Sequence, residues 1–249
     1  MQTLWRWMSS LFLRRTETEE KLQAWFQDNS YFQSVQGVVT SLCTDYGWIN
    51  ESIFFNTDVI SDNTPLKIGT NVLALVEENN RSHILKAIKY SRRSECESEV
   101  KAMNALPEGS EPSKLGRKLC IRCVTSVTEE DVYISKEKCF PLYMFSGAFK
   151  PFKGDLLLIE YSTNPGTSKN NIHSVSPLNS QYMEEVCITS IDGRNGVVDD
   201  IVFFTLDYLH TPPGYTPSLY DIVNVLAVDS IQPYCSYRAV SMTPVEMVN

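Results

Sequence analysis

From about residue 35 onward the apolar positions come in short bursts rich in Val, Ile, Phe and Tyr. Gly, Asn, Asp and Pro separate them. Short β-branched and aromatic runs bounded by turn residues predict strands. Spacing by threes and fours is confined to two places. In Met1–Leu13, Leu4, Trp7, Met8, Leu11 and Phe12 would line one stripe with Trp5 beside them, and a weaker instance covers Glu97–Leu106. The first stripe predicts an amphipathic helix within residues 1–34. Such a stripe suits a membrane surface, a partner's groove or the domains behind it. Arg6 interrupts it and Thr16–Glu20 follows, so it does not read as a signal peptide.

The strand-like segments recur. With Thr40, Thr125 and Thr189 as origins, Ile49, Ile134 and Val198 stand nine residues on, and Phe55, Phe140 and Phe204 fifteen residues on. Seven residues on are Gly47, Val132 and Gly196. A fourth strand starts near Gly69, Gly154 and Tyr220, at offsets of 29, 29 and 31. A fifth is predicted at Leu85–Tyr90, His173–Leu178 and Tyr237–Met242. Five short strands with a longer connection after the third form the pattern of a small Greek-key barrel. Three such barrels are expected, at 35–90, 119–178 and 186–249. The segment 91–118, with Ser91-Arg92-Arg93-Ser94 and Pro107–Ser113, reads as a flexible linker.

Alternate residues of a barrel strand face outward. If Ile49, Ile53 and Phe55 fill the first core, then Trp48, Phe54 and Tyr46 lie outside. Adjacent aromatics make a platform for unpaired bases, and Lys86 and Lys89 would meet phosphates. The same rings could instead bury against the N-terminal helix or another copy. The matching positions are Asp131, Tyr133 and Cys139 in the second copy and Asn195, Val197 and Phe203 in the third, which lack such a platform. Tyr46-Gly47-Trp48-Ile49 also has the aromatic-x-x-aliphatic form of a peptide that adds as a strand. Gly193-Arg194-Asn195-Gly196 reads as a hairpin turn.

Charge narrows the functions. The chain has 249 residues and a net charge of −8, and its third copy holds two basic against seven acidic residues. Gripping a polyanion by bulk positive charge is not expected. With 43% hydrophobic and 21% charged residues it is neither disordered throughout nor, lacking a long apolar run, an integral membrane protein. Its seven scattered cysteines predict reduced thiols inside a cell. Cys120 and Cys123 have half-zinc-site spacing but point to opposite sides of a strand, and no second pair follows. Cys123 and Cys187 fall in the slot of Val38, two before the threonine, and read as small apolar core residues. His83, His173 and His210 have no nucleophile arrangement beside them. The neighbours in Asp199-Asp200 and in Glu77-Glu78 face apart. No catalysis, metal or cofactor is expected.

Tyr46-Gly47-Trp48-Ile49 followed by Ile53-Phe54-Phe55-Asn56 resembles the two nucleic-acid motifs of cold-shock and S1-like barrels. It departs at Asn56, where that family has His, and it lacks a basic residue before Tyr46. Over residues 35–245 the resemblance is closer to the cancer/testis antigen 55 family and to the N-terminal region of the germline RNA helicase of the piRNA pathway. Gly37–Ser41, Asp45–Gly47, Val76–Asn79, Tyr161–Gly166, Gly193–Val197, Phe203–Asp207 and Pro213–Pro217 carry it. The resemblance implies a mainly β chain of three tandem OB-like (S1/cold-shock-like) barrels without a helicase motor. It implies a male germ-cell protein, and the acidic third copy together with the two copies that lack a platform points to a non-enzymatic adaptor, cytoplasmic in testis germ cells, acting in spermatogenesis through protein partners. The alternative is single-stranded RNA binding through Tyr46, Trp48, Phe54, Asn56, Lys86 and Lys89.

Overall fold

The structure, a computed structural model, describes residues 32–57, 66–78, 84–92, 117–145, 149–163 and 170–245. The predicted N-terminal helix, with Leu4, Trp7, Met8, Leu11 and Phe12, lies outside these residues, as does the segment around Glu97–Leu106. In chain order the strands are β1 (Phe32–Leu42), β2 (Tyr46–Ile49), β3 (Ile53–Asn56), β4 (Asn71–Glu78), β5 (Leu85–Arg92), β6 (Lys118–Cys123), β7 (Ser126–Val127) and β8 (Asp131–Tyr133). They continue with β9 (Cys139–Pro141), β10 (Leu156–Thr163), β11 (Asn170–Pro177), β12 (Ser180–Asp192), β13 (Asn195–Val198), β14 (Val202–Thr205), β15 (Ile222–Gln232) and β16 (Cys235–Pro244). Among the described residues helical structure is confined to the 3-10 turn Leu142–Met144 and to Thr57, just after β3. The protein is mainly β.

The chain divides into two compact units. One contains residues 31–122 and 157–178. In it β1–β5 close into a barrel in the order β1-β2-β3-β5-β4, and β11-β10-β6 form a three-stranded sheet. The other contains 123–156 and 179–249, with a second closed barrel, β12-β13-β14-β16-β15, and the small sheet β7-β8-β9. Two of the three expected barrels therefore close. The strands of 119–178 form two three-stranded sheets instead. β7, β8 and β9 are only two or three residues long, too short to carry a continuous ladder around a barrel.

One local device recurs at all three threonines. The residue ahead of each exchanges two backbone hydrogen bonds with the turn that enters the next long strand. Val39 N–H donates to Thr70 O (3.0 Å) and its carbonyl accepts from Gly69 (2.8 Å). Val124 does the same with Asp155 and Gly154 (2.9 and 2.8 Å), and Ile188 with Asp221 and Tyr220 (3.0 and 2.9 Å). The donor in the turn has a left-handed backbone each time, with φ of 90° at Gly69, 96° at Gly154 and 70° at Tyr220. The threonine hydroxyl then donates to the carbonyl eight residues on: Trp48, Tyr133 and Val197 at 3.2, 3.1 and 3.3 Å. In both barrels the ladder bulges at that threonine. A bulge adds twist and lets one long strand serve two neighbours.

The glycine seven residues past the threonine has a packing reason. Gly47 faces Phe55 across β2 and β3, and Gly196 faces Phe204 across β13 and β14. Each phenyl ring folds back over its facing glycine. A Cβ on Gly196 would meet the Phe204 ring and stand 2.7 Å from the Ser190 carbonyl. In the short sheet Val132 faces Phe140 instead, and both are buried. The barrel cores centre on Ile49, Ile53 and Phe55 in one and on Ile188, Val198 and Phe204 in the other.

The packing yields a stability prediction. Gly196→Ala overfills the space under Phe204 and should lower unfolding stability by about 1–3 kcal/mol. Gly193→Ala, where no atom stands near the added methyl but φ is 60°, should cost about 1–2 kcal/mol from the backbone alone. Urea melts followed by circular dichroism measure both. Equal, negligible losses would contradict the packing argument for Gly196.

Candidate nucleic-acid interface

β2 and β3 place the aromatic residues by simple alternation. Ile49, Ile53 and Phe55 are 0–2% exposed and fill the barrel. The residues between them turn outward: Tyr46 is exposed, and Trp48, Phe54 and Asn56 are half-buried. Cross-strand pairing sets Trp48 opposite Phe54 and Tyr46 opposite Asn56. The Tyr46 and Phe54 rings lie 6.0 Å apart at 26°, and Trp48 meets Phe54 edge-on at 5.6 Å and 73°. A hydrogen bond with Cys43 pushes the Tyr46 phenol up from its ordinary value, so the ring stays neutral. The parallel pairing of β3 and β5 puts the exposed Lys86 next to Phe54.

The structure separates the two lysines. Lys86 borders the aromatic face. Lys89 is 7% exposed and pairs across from Leu75, which in turn pairs with Ser34. On that side β6 reaches the barrel, with Ile121 N–H donating to Ser34 Oγ at 3.0 Å. Ser34 is half-buried and Leu75 is buried along that row, and Lys89 is withdrawn from solvent with them. Across from Lys86 stands Glu77. Burial raises its carboxyl above the ordinary value of 4.5, and the Lys86 charge pulls it partly back. Glu77 thus competes with any anion that approaches Lys86.

The closed barrel of the other unit repeats this register. Val197 pairs with Phe203 as Trp48 pairs with Phe54, and Arg238 lies beside Phe203 as Lys86 lies beside Phe54. Here the chain itself fills the face. The Phe152 ring stacks on Phe203 at 6.0 Å and 27°, and meets Tyr208 edge-on at 4.9 Å. Asp155 takes the cation: Arg238 Nε donates to Oδ1 at 2.9 Å and Nη2 to Oδ2 at 2.7 Å. Both side chains are 0% exposed. Arg238 Nη2 also donates to Lys150 O at 2.9 Å, and its guanidinium lies 5.6 Å from the centre of the Phe152 ring. Sequence reasoning missed this cluster. Its one signal was Arg238, second residue of the predicted fifth strand, in the slot of Lys86.

Other candidate chemistry resolves into structure. Cys123 is buried, and burial pushes its thiol far up, with the Asp155 charge adding to the shift. Burial pushes Cys235 up to about 11. Both stay protonated at neutral pH. Asp199 and Asp200 have φ of 46° and 59° and form the centre of the turn from β13 to β14. There Asp199 Oδ1 accepts from Cys187 N–H at 2.9 Å, as Asn50 Oδ1 accepts from Val38 N–H in the first barrel. His173 Nε2 lies 2.9 Å from Ser162 Oγ, but Ser162 is buried. Among the described residues no helix is long and apolar enough to cross a membrane.

A family model described as Cancer/testis antigen 55 N-terminal domain matches residues 97–178. Another, RNA helicase Mov10l1-like, N-terminal OB domain, matches residues 14–74. RNA helicase Mov10l1 of Homo sapiens is 40% identical over 220 residues, which is 88% of this chain and 18% of the helicase. The Mus musculus helicase is 40% identical over 199 residues, 80% of this chain and 16% of the helicase. The chain thus spans less than a fifth of the length of either relative. The solved structure "drosophila Unr CSD456" covers 86% of this chain and 98% of its own at 14% identity, with a TM-score of 0.23, too low to bear on the fold. These matches show the resemblance to the cancer/testis antigen 55 family and to the N-terminal region of the helicase.

The buried ion pair generates a further prediction. Asp155→Asn leaves the Arg238 charge enclosed with a neutral partner, and removing one member of a buried pair costs about 3–5 kcal/mol. Lys86→Gln on the exposed face should stay within about 0.5 kcal/mol of the parent. Denaturant unfolding of the two variants side by side measures the contrast. A loss below about 1 kcal/mol for Asp155→Asn would mean the pair contributes no more than a surface one.

Proposed function

We propose that the chain is a non-enzymatic single-stranded RNA-binding protein, and that bases stack on the outer face of its first barrel. One observation carries the reading: Tyr46, Trp48 and Phe54 gather on one outer face with Lys86 at its border. Three rings and one cation suit a few stacked bases and a phosphate. Affinity would then come from stacking rather than from bulk charge, in keeping with a net charge of −8. The names of the relatives, an RNA helicase and its OB domain, support nucleic acid as the ligand class. We further propose that this activity is exercised in the cytoplasm of male germ cells, in keeping with the likeness to the helicase.

A second reading has its own support. The third copy has two basic and seven acidic residues, and its matching face is filled by Phe152 and Asp155. That part of the chain suits protein contacts, as an adaptor in spermatogenesis would require. Affinity capture from testis extract tests it: a reproducible partner lost on deleting 179–249 supports the adaptor role, and none argues against it.

The RNA reading makes quantitative predictions. Trp48→Ala should weaken binding of a labelled single-stranded RNA by about 1–3 kcal/mol. Lys86→Gln should weaken it and flatten the salt dependence by about 0.7 in the log–log slope, as expected for one lost phosphate contact. Fluorescence anisotropy at two salt concentrations reads both. Unchanged affinity for Trp48→Ala would overturn the reading.

Glu77 gives a pH signature. Because its folded carboxyl titrates above 4.5, the folded state holds a proton there that the unfolded state has released. Its contribution to stability is therefore fullest at low pH and is lost as pH rises through the folded value. Once protonated it no longer opposes a phosphate at Lys86. RNA affinity should accordingly rise as the pH falls from neutral toward 4.5, and Glu77→Gln should bind more tightly at neutral pH and lose that part of the dependence. A Glu77→Gln titration parallel to the parent at every pH would remove Glu77 from the site.

A further inference from the structure

We infer that the third barrel carries a second face for single-stranded nucleic acid, and that the segment from Phe149 to Asp155 keeps it shut by occupying it as a ligand would. The inference borrows from the RNA reading only the chemistry of the face. Three observations support it. The register of β13, β14 and β16 places Phe203 and Arg238 as that of β2, β3 and β5 places Phe54 and Lys86. What lies on that face is a planar ring stacked on Phe203 and an anion held by two hydrogen bonds on Arg238. Stacked ring and paired anion are the two groups a nucleotide would present, its base and its phosphate.

The segment is fastened where the face ends. Gly154 O accepts from Ile231 N–H at 2.8 Å, and Gln232 Nε2 donates to Lys153 O at 2.7 Å. Phe152 N–H donates to Asp155 Oδ2 at 2.8 Å, which ties the ring to the anion. Gly154 has no side chain to obstruct this approach, since a Cβ there would meet the Ile231 carbonyl. Charge alone would not have required a seal on so acidic a copy. The seal fits the chemistry of the face beneath it.

The experiment uses the full chain carrying Trp48→Ala, so that the first face contributes least, and a labelled single-stranded oligouridylate. Phe152→Ala leaves the Asp155–Arg238 pair in place and uncovers Phe203 and Tyr208. It should raise affinity about tenfold or more over the Trp48→Ala parent, the effect of one stacked base. Adding Phe203→Ala should abolish the gain. A folded Phe152→Ala protein with no gain overturns the inference. If that variant loses its cooperative melt, photocrosslinking of a thiouridine-containing oligomer to the Trp48→Ala chain decides instead: crosslinks between Val202 and His210 support a face that opens, and their absence overturns it. The RNA reading of the first barrel fails separately, if Trp48→Ala alone leaves binding unchanged.

Discussion

Both barrels depend on the closure made by the residue ahead of the threonine. Val39 and Ile188 each bond in both directions to a turn whose backbone is left-handed at its first residue. Without that exchange the fourth strand would enter out of register, and the bulge at the threonine would have nothing to close against. Two glycines supply the left-handed residue at no steric cost. Tyr220 supplies it in the third copy and keeps its side chain in solvent, 73% exposed. The exchange also survives at Val124, where the strands do not close into a barrel. The closure is thus a property of the local segment, and barrel formation needs strands of sufficient length as well.

Once the register is set, the outer faces follow. Strand pairing fixes which residue of β3 or β14 borders which residue of β5 or β16, so a ring and a cation meet on both barrels. The difference lies in what covers them. On the first barrel the rings stack among themselves and Lys86 has a partly neutralising neighbour in Glu77. On the other barrel Phe152 covers part of Phe203, which stays half-buried, while Asp155 and Arg238 are fully enclosed. A guanidinium buried this deeply is stable only with a paired carboxylate and satisfied donors, and both are present.

Much of this was legible in the chain. Alternation put Ile49, Ile53 and Phe55 inside and Trp48, Phe54 and Tyr46 outside. The offset of Gly47 and Gly196 from their threonines marked the place where a phenyl ring needs room. Lys89 was legible only in part. A register shift between Leu75 and Val76 sets Lys86 and Lys89 on the same side, yet Lys89 is buried and Lys86 exposed. Nothing in the spacing of the chain says which outer row another sheet will cover. The pairing of Asp155 with Arg238 was hidden for the same reason, since the two residues are 83 positions apart.

The sequence by itself determined the period-two pattern, the three threonine-centred segments, the interior residues and the outward aromatic trio, because these follow from local sterics and from the need to bury apolar area. The tertiary structure decided which segments close into barrels, which lysine meets solvent, and that one face is filled by the chain's own phenylalanine and aspartate. Those outcomes rest on contacts between distant segments, and desolvation and charge pairing there act only after the backbone has brought the partners together.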